Sequence, residues 1–321
     1  MRYVTAGGVR LSAIGVGTWQ FGSRDWGYGK EYADKESHAI VDRALELGVN
    51  LIDTAEIYAM GESERIVGRT LGSRRAEAFV ASKVLPVVPL APVVAWRGRE
   101  SRKRLGIDAI DLYQLHWPNP AVPIGVQVAG LRSLLDEGVV RHVGVSNYSL
   151  SRWQEAEAAL GGPVITNQVQ YSLAVAKAGE DLVPWAAAND RIVIAYSPLA
   201  QGVLSGRFDG TNPPSGVRLN NPLFLPDNLR AAGPLLAALR EIAATHDATP
   251  AQVALAWVIA RPNVVALPGA SSVQQLEQNV AAADIELTED QQRRLTDASD
   301  AFTPVRGPAA VPQLLRQRLK R

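Results

Sequence analysis

The feature that most constrains this chain is a junction that recurs along it. A helix-patterned stretch ends, a glycine follows, and a β-branched run begins at once: LELGVNLID, RLGIDAIDLY and DEGVVRHVGV. Gly48, Gly106 and Gly138 fall just past the helical pattern, where a left-handed cap costs glycine least. Short, repeated helix-to-strand connections of this kind mark parallel strands joined by crossover helices. Strand cores are predicted over 14–17, 50–53, 79–83, 110–116, 142–146, 164–168, 192–197 and 264–268. Amphipathic stretches alternate with them over 35–47, 62–71, 93–105, 124–137, 150–160, 179–189, 234–246 and 272–283. Eight strands with eight following helices suit a closed (β/α)8 TIM barrel better than an open sheet, and no GxGxxG follows the first strand.

Four additions decorate the repeat. Residues 2–13 read as a β-hairpin turning at Gly7-Gly8, placed to plug the barrel floor. Residues 288–300 read as an extra C-terminal helix capped by Thr288, and the basic, proline-broken 301–321 reads as a mobile or packing tail. Residues 199–233, rich in Gly, Pro and Asn, form one long loop after the seventh strand, which in a barrel lies over the catalytic face as a lid or binding loop. No linker divides the chain, so 1–321 is expected to be a single barrel domain.

Composition narrows the function by exclusion. A net charge of +1 gives no overall field for nucleic acid or a membrane surface. The absence of cysteine excludes disulfides, thiolate catalysis and cysteine-rich metal sites, and no metal ligand set is expected. The first residues carry no apolar core of a signal peptide, and no apolar run is long enough to span a bilayer. The expectation is a cytoplasmic enzyme acting on a small molecule, as a monomer or a homo-oligomer.

Active sites of such barrels form at the C-terminal ends of the strands. Asp53, Lys83 and His116 lie there, and Tyr58 follows shortly after the second strand. Each alone has an ordinary structural role open to it: a turn cap, a snorkelling cation, a satisfied imidazole, a buried ring. Together they make chemical sense. Reducing a carbonyl needs an acid to protonate the forming alkoxide, and a phenol titrating near ~10 holds that proton reluctantly to give. An adjacent Lys83 ammonium favours the phenolate and is expected to lower the Tyr58 pKa. Asp53 would keep the ammonium charged, and His116 would orient the carbonyl or share in proton transfer.

The segments around these residues carry a resemblance. LIDTAEIYAMGESERIVG, ASKV, LGIDAIDLYQLHWP, GVSNYS, NQVQYS, AYSPLAQGVLSG and PGASSVQQLEQN, in that order, resemble the aldo-keto reductase superfamily from residue 10 to about 285. The kinship points to the bacterial branches near the potassium-channel β-subunits and general stress proteins. The resemblance implies a catalytic tetrad of Asp53, Tyr58, Lys83 and His116 and a nicotinamide cofactor. Gly17, Thr18, Trp19 and Asp53 would border it, Ser146, Asn147 and Gln168 would bind its carboxamide, and Tyr196 would stack on its ring. Ser197, Pro198, Leu199, Gln201, Gly202, Ser205 and Arg207 would cover the pyrophosphate. Gly269, Ala270, Ser271, Gln275, Gln278 and Asn279 would hold the adenosine end, helped by the start of the helix near Ser272.

Two departures stand out. Ala59 follows Tyr58 where relatives often have glycine. PGASSVQQLEQN lacks the Lys or Arg that many relatives place against the 2′-phosphate, so NADPH is expected, with NADH open and Arg207 the substitute cation. Trp19, Trp26, Tyr58, His116, Trp117 and Tyr148 are the expected substrate contacts, with Phe21 and Tyr28 as further walls. Arg24, Asp25 and Lys30 are candidate contacts for a polar substrate. The aromatic lining suits apolar aldehydes and ketones, and also sugars. Two other functions are open at this stage. One is a cofactor-binding regulatory subunit with little turnover; the other, a Schiff-base aldolase with Lys83 as nucleophile.

Overall fold

A computed structural model describes residues 1–24, 29, 34–208, 212 and 214–319. Strands β1 (Tyr3–Ala6) and β2 (Val9–Ser12) pair antiparallel as the N-terminal hairpin. Gly7 and Gly8 both have positive φ, which a tight two-residue hairpin turn requires.

Eight parallel strands then follow one another around a single sheet. They are β3 (Val16–Gly17), β4 (Leu51–Asp53), β5 (Phe79–Val84), β6 (Ile110–Leu115), β7 (Val140–Ser146), β8 (Thr166–Gln170), β9 (Ile192–Tyr196) and β10 (Val264–Leu267). The ends meet. Ile14 bridges Ala266 and Gly17 bridges Gly269, both parallel, and the Gly15 N–H donates to the Ala266 carbonyl at 2.8 Å. The first strand is shorter than expected, because around Ile14 the seam is isolated bridges rather than a ladder.

Helices α1 (Asp34–Glu46), α2 (Glu62–Leu71), α3 (Ala91–Leu105), α4 (Ile124–Asp136), α5 (Leu150–Leu160) and α6 (Leu182–Ala188) fall on the predicted stretches. Gly48, Gly106 and Gly138 have positive φ, as the junction motif requires. The second half is richer than expected. The 199–233 segment is not a bare loop: it holds 3-10 turns at Ala200–Ser205, Gly216–Asn220 and Pro222–Phe224 and helix α7 (Pro226–Ala231). Phe208 and Phe224 pack edge to face at 5.1 Å, and the Asn221 amide donates to Gln201 Oε1 at 3.0 Å. After α8 (Gly233–Thr245) comes α9 (Pro250–Val258), which the sequence reading misses altogether. Then follow α10 (Val273–Ala281), α11 (Glu289–Ala301) with the Thr288 cap, and α12 (Val311–Leu319) in the tail. The tail begins by packing: Val305 exchanges hydrogen bonds with Asn228 of α7, and the Arg306 guanidinium donates to the Ala174 carbonyl.

Two apolar clusters fill the molecule. The larger lies between the sheet and the helices. The smaller fills the barrel floor, where Val4, Ala6, Val9 and Leu11 of the hairpin meet Leu51, Ala81, Leu112, Ile165 and Ile194. Side chains two apart on a strand share a face. Asp53 therefore stands above Leu51, Lys83 above Ala81 and Gln114 above Leu112. An apolar floor beneath a polar upper layer aims the ionisable groups at the open end of the barrel.

Candidate active site

Lys83 is fully buried, and its ammonium has three partners. It donates to Asp53 Oδ1 at 2.5 Å, to the Thr54 carbonyl at 2.9 Å and to the Tyr58 hydroxyl at 3.3 Å. The Gln168 amide donates to Asp53 Oδ2 at 2.9 Å, so both carboxylate oxygens are engaged. The Tyr58 ring meets the His116 imidazole edge-on at 5.9 Å and Trp19 at 6.5 Å, and His116 stacks toward Trp117 at 6.5 Å. The four groups singled out in the sequence converge, with Lys83 beneath and Tyr58 and His116 on the exposed side.

Electrostatics correct one expectation. Burial raises the Tyr58 pKa above its usual value; Lys83 acts the other way but does not win, and Asp53 reinforces the rise. Burial opposes the Lys83 ammonium, but the Asp53 carboxylate and Tyr58 outweigh it and the lysine holds its proton more tightly than in water. An ion-paired ammonium is no nucleophile, which counts against the Schiff-base reading. Burial, followed by the Lys83 charge, brings His116 down to about 3, so its imidazole is neutral at physiological pH. Its buried Nδ1 has no partner among the described residues.

The turn bearing Tyr58 is strained. Ala59 and Met60 adopt left-handed backbone at φ 47° and 55°, and the departure from glycine at position 59 falls on this conformation. Strain of this kind gathers around the open end of the barrel. Of the eight non-glycine residues with positive φ among those described, Ala59, Met60, Asn147, Ser197 and Gln201 line one cleft.

That cleft has a volume of about 1720 Å³. It brings together every expected cofactor contact: Gly17, Thr18, Trp19 and Asp53 at one edge, Ser146, Asn147, Gln168 and Tyr196 across the barrel mouth, then the 197–207 segment, and finally Gly269, Ala270, Ser271, Gln275, Gln278 and Asn279. The Tyr196 hydroxyl donates to Asn147 Oδ1 at 2.9 Å, while the Asn147 amide donates to the His116 carbonyl and to Ser146 Oγ. Gln275 Oε1 accepts from the Ser271 N–H and hydroxyl, and Ser272 caps α10.

Not every predicted substrate wall is there. Trp19 and Trp117 line the cleft half-exposed, but Tyr148 is buried in the main core and absent from the lining. Asn147 has φ 62°, which reverses the chain and turns the next residue inward. Phe21 is likewise core. Arg24 lines the cleft; Trp26, with Asp25, Tyr28 and Lys30, lies outside the described residues. Lining residues that the sequence reading missed include Gln20, Ile57, Met60, Leu85 and the α9 start from Thr249 to Gln252, while Arg218 comes from the 199–233 loop expected there. The TPAQ capping box was the signal that could have placed the last of these.

The model of the aldo/keto reductase family matches residues 13–300. Over the full length of both chains, the sequence is 56% identical to an uncharacterized oxidoreductase of Mycobacterium tuberculosis H37Rv. It is 35% identical to the methylglyoxal reductase YeaE of Escherichia coli K12, covering 88% of this chain and 89% of that one. The fold superposes on an aldo-keto reductase from Klebsiella pneumoniae in complex with NADPH with a TM-score of 0.75, at 29% identity, over 96% of this chain and 98% of the other.

Proposed function

The chain belongs to the aldo/keto reductase family, and on that premise we propose that it reduces an aldehyde or ketone to an alcohol with NADPH, Tyr58 giving the proton. One observation carries the proposal. The Tyr58 hydroxyl lies 3.3 Å from an ammonium that is itself locked to Asp53, at the floor of a cleft large enough for a dinucleotide and a substrate together. Solved relatives hold NADPH or NADP, and the residues lining this cleft suit such a ligand. Ser146, Asn147 and Gln168 offer hydroxyl and amide groups to a carboxamide, and the start of α10 offers backbone N–H groups to phosphate. When bound, NADPH supplies the hydride.

The protein's own part is acid catalysis and orientation. Tyr58 gives its proton to the developing alkoxide, and the phenolate left behind is stabilised by the Lys83 ammonium beside it. Asp53, held by Gln168, keeps that ammonium charged and in place. His116, neutral, can hydrogen-bond the carbonyl oxygen but cannot serve as a cationic acid near pH 7.

The test is loss of NADPH absorbance with a panel of carbonyls: methylglyoxal, because one relative is a methylglyoxal reductase, an aryl aldehyde, an aliphatic ketone and an open-chain sugar. Tyr58→Phe is expected to lower kcat by more than tenfold, that is to raise the barrier by more than about 1.4 kcal/mol, with NADPH affinity nearly unchanged. Retention of more than about a tenth of the wild-type kcat would contradict the proton-donor role.

A further inference from the structure

Glu56 and Arg97 stand outside the reacting groups, yet they join the two chain segments that carry them. Glu56 lies two residues before Tyr58, and Leu85 two residues after Lys83. The Glu56 carboxylate accepts from the Leu85 N–H at 2.6 Å. It also takes a forked pair from Arg97, with Nε donating to Oε2 at 2.9 Å and a terminal nitrogen 2.5 Å from Oε1. Arg97 closes the ring by donating from its other terminal nitrogen to the Leu85 carbonyl at 2.6 Å. Both backbone groups of Leu85 are thus held by one ion pair. The Glu56 side chain is 8% exposed and that of Arg97 20%, so the pair is largely shielded from water. The Glu56 N–H also donates to the Lys83 carbonyl at 3.2 Å.

Resting on the reading of Tyr58 as the acid, we infer that Glu56 and Arg97 are positioning residues that hold the Tyr58 hydroxyl against the Lys83 ammonium. The strained turn makes such support necessary. Left-handed backbone at Ala59 and Met60 persists only where the surroundings over-determine it. On the far side of the turn the Ser63 hydroxyl, bonded to Thr18 and Thr54 at 2.8 and 2.9 Å, fixes the start of α2. On the near side the Glu56–Arg97 ring is the anchor, and a bidentate guanidinium–carboxylate pair fixes direction as well as distance. Arg97 belongs to α3, so the helix packed outside the barrel helps to set the geometry inside it.

The experiment reads Tyr58 directly. Protein labelled with [13Cζ]tyrosine is compared as wild type, Arg97→Met and Glu56→Gln, the Tyr58 resonance being assigned by its loss in Tyr58→Phe. Glu56→Gln keeps an acceptor for Leu85 and nearly the same shape, so it reports even if Arg97→Met does not fold. In the variants, the Tyr58 resonance is expected to leave its wild-type position toward that of solvated tyrosine and to broaden. Carbonyl turnover is expected to fall at least tenfold through kcat, with NADPH affinity within about twofold of wild type. A Tyr58 resonance unmoved in Glu56→Gln overturns the inference, whatever happens to turnover. A wild-type enzyme that oxidises NADPH with no carbonyl overturns the reductase reading instead, while the resonance still decides the role of the pair.

Discussion

His116 carries the residue-scale lesson about charge. Protonating it in the folded protein means placing a cation in a buried site beside the Lys83 ammonium, and its pKa falls to about 3. The unfolded chain takes up that proton near ~6.5. A folded-state pKa below the unfolded one contributes stability that is complete above the unfolded value and is lost as pH falls toward the folded value. Urea unfolding between pH 7 and 4 should therefore show wild type losing stability more steeply than His116→Gln; parallel curves would show that His116 is not the buried neutral group described. The same residues show what a sequence can carry. Asp53, Lys83 and His116 were legible because strand ends are predictable from β-branched runs, and Tyr58 because a motif surrounds it. The direction of the Tyr58 shift was not legible. It depends on how completely the ring is enclosed, which is a property of the assembled fold, and there burial outweighs the lysine. Tyr148 was misplaced for a related reason: adjacency to Asn147 suggests the cleft, and a single left-handed residue sends the side chain the other way.

At the scale of elements, packing overrides local preference. Helix α9 escaped notice because Val253 through Val258 are all buried, leaving no polar stripe to give a helical period. The amphipathic helices of the first half, with one face to the sheet and one to water, announce themselves. The 199–233 segment was legible as a long cover but not as four short turns and helices, since Gly, Pro and Asn fix where a chain bends and not what it packs against. Gly68 gives this conflict a sign. It lies inside α2, where propensity alone makes Gly→Ala stabilising by about 1 kcal/mol. A Cβ there would meet the Leu105 carbonyl oxygen at 2.0 Å, with the carbonyl carbon behind it at 2.7 Å. Backbone cannot step aside as a flexible side chain can, and α2 would have to move off the end of α3. Gly68→Ala is expected to destabilise by about 1–3 kcal/mol, the usual cost of overpacking. A rise in the denaturation midpoint would show the two helices to be less closely packed than this.

At the scale of the whole molecule, the cleft is assembled from distant parts of the chain: strand ends from β3 to β10, a cover drawn from 197–207 and 215–218, and the start of α10. A ligand that spans them binds the native state alone, so it stabilises by mass action, about 2.7 kcal/mol at a hundred times its dissociation constant. That makes thermal unfolding a direct measure of which cofactor fits. The end of the cleft proposed for the adenosine is lined by Ser271, Ser272, Gln275 and Gln278, which bring hydrogen bonds but no positive charge. The cover supplies charge instead: Arg207 lines the same cleft, its guanidinium 4.7 Å from the centre of the Phe208 ring. Stacking holds a guanidinium in place without using up its N–H donors, which stay available for phosphate oxygens. NADPH should then raise the unfolding temperature more than NADH at equal concentration, and Arg207→Gln should close most of that gap while leaving the NADH shift alone. Equal shifts in the wild type would make the 2′-phosphate irrelevant to binding. A gap that survives in Arg207→Gln would move the recognition to a different cation of the cover, of which Arg218, donating to the Gln201 carbonyl at 3.0 Å, also lines the cleft.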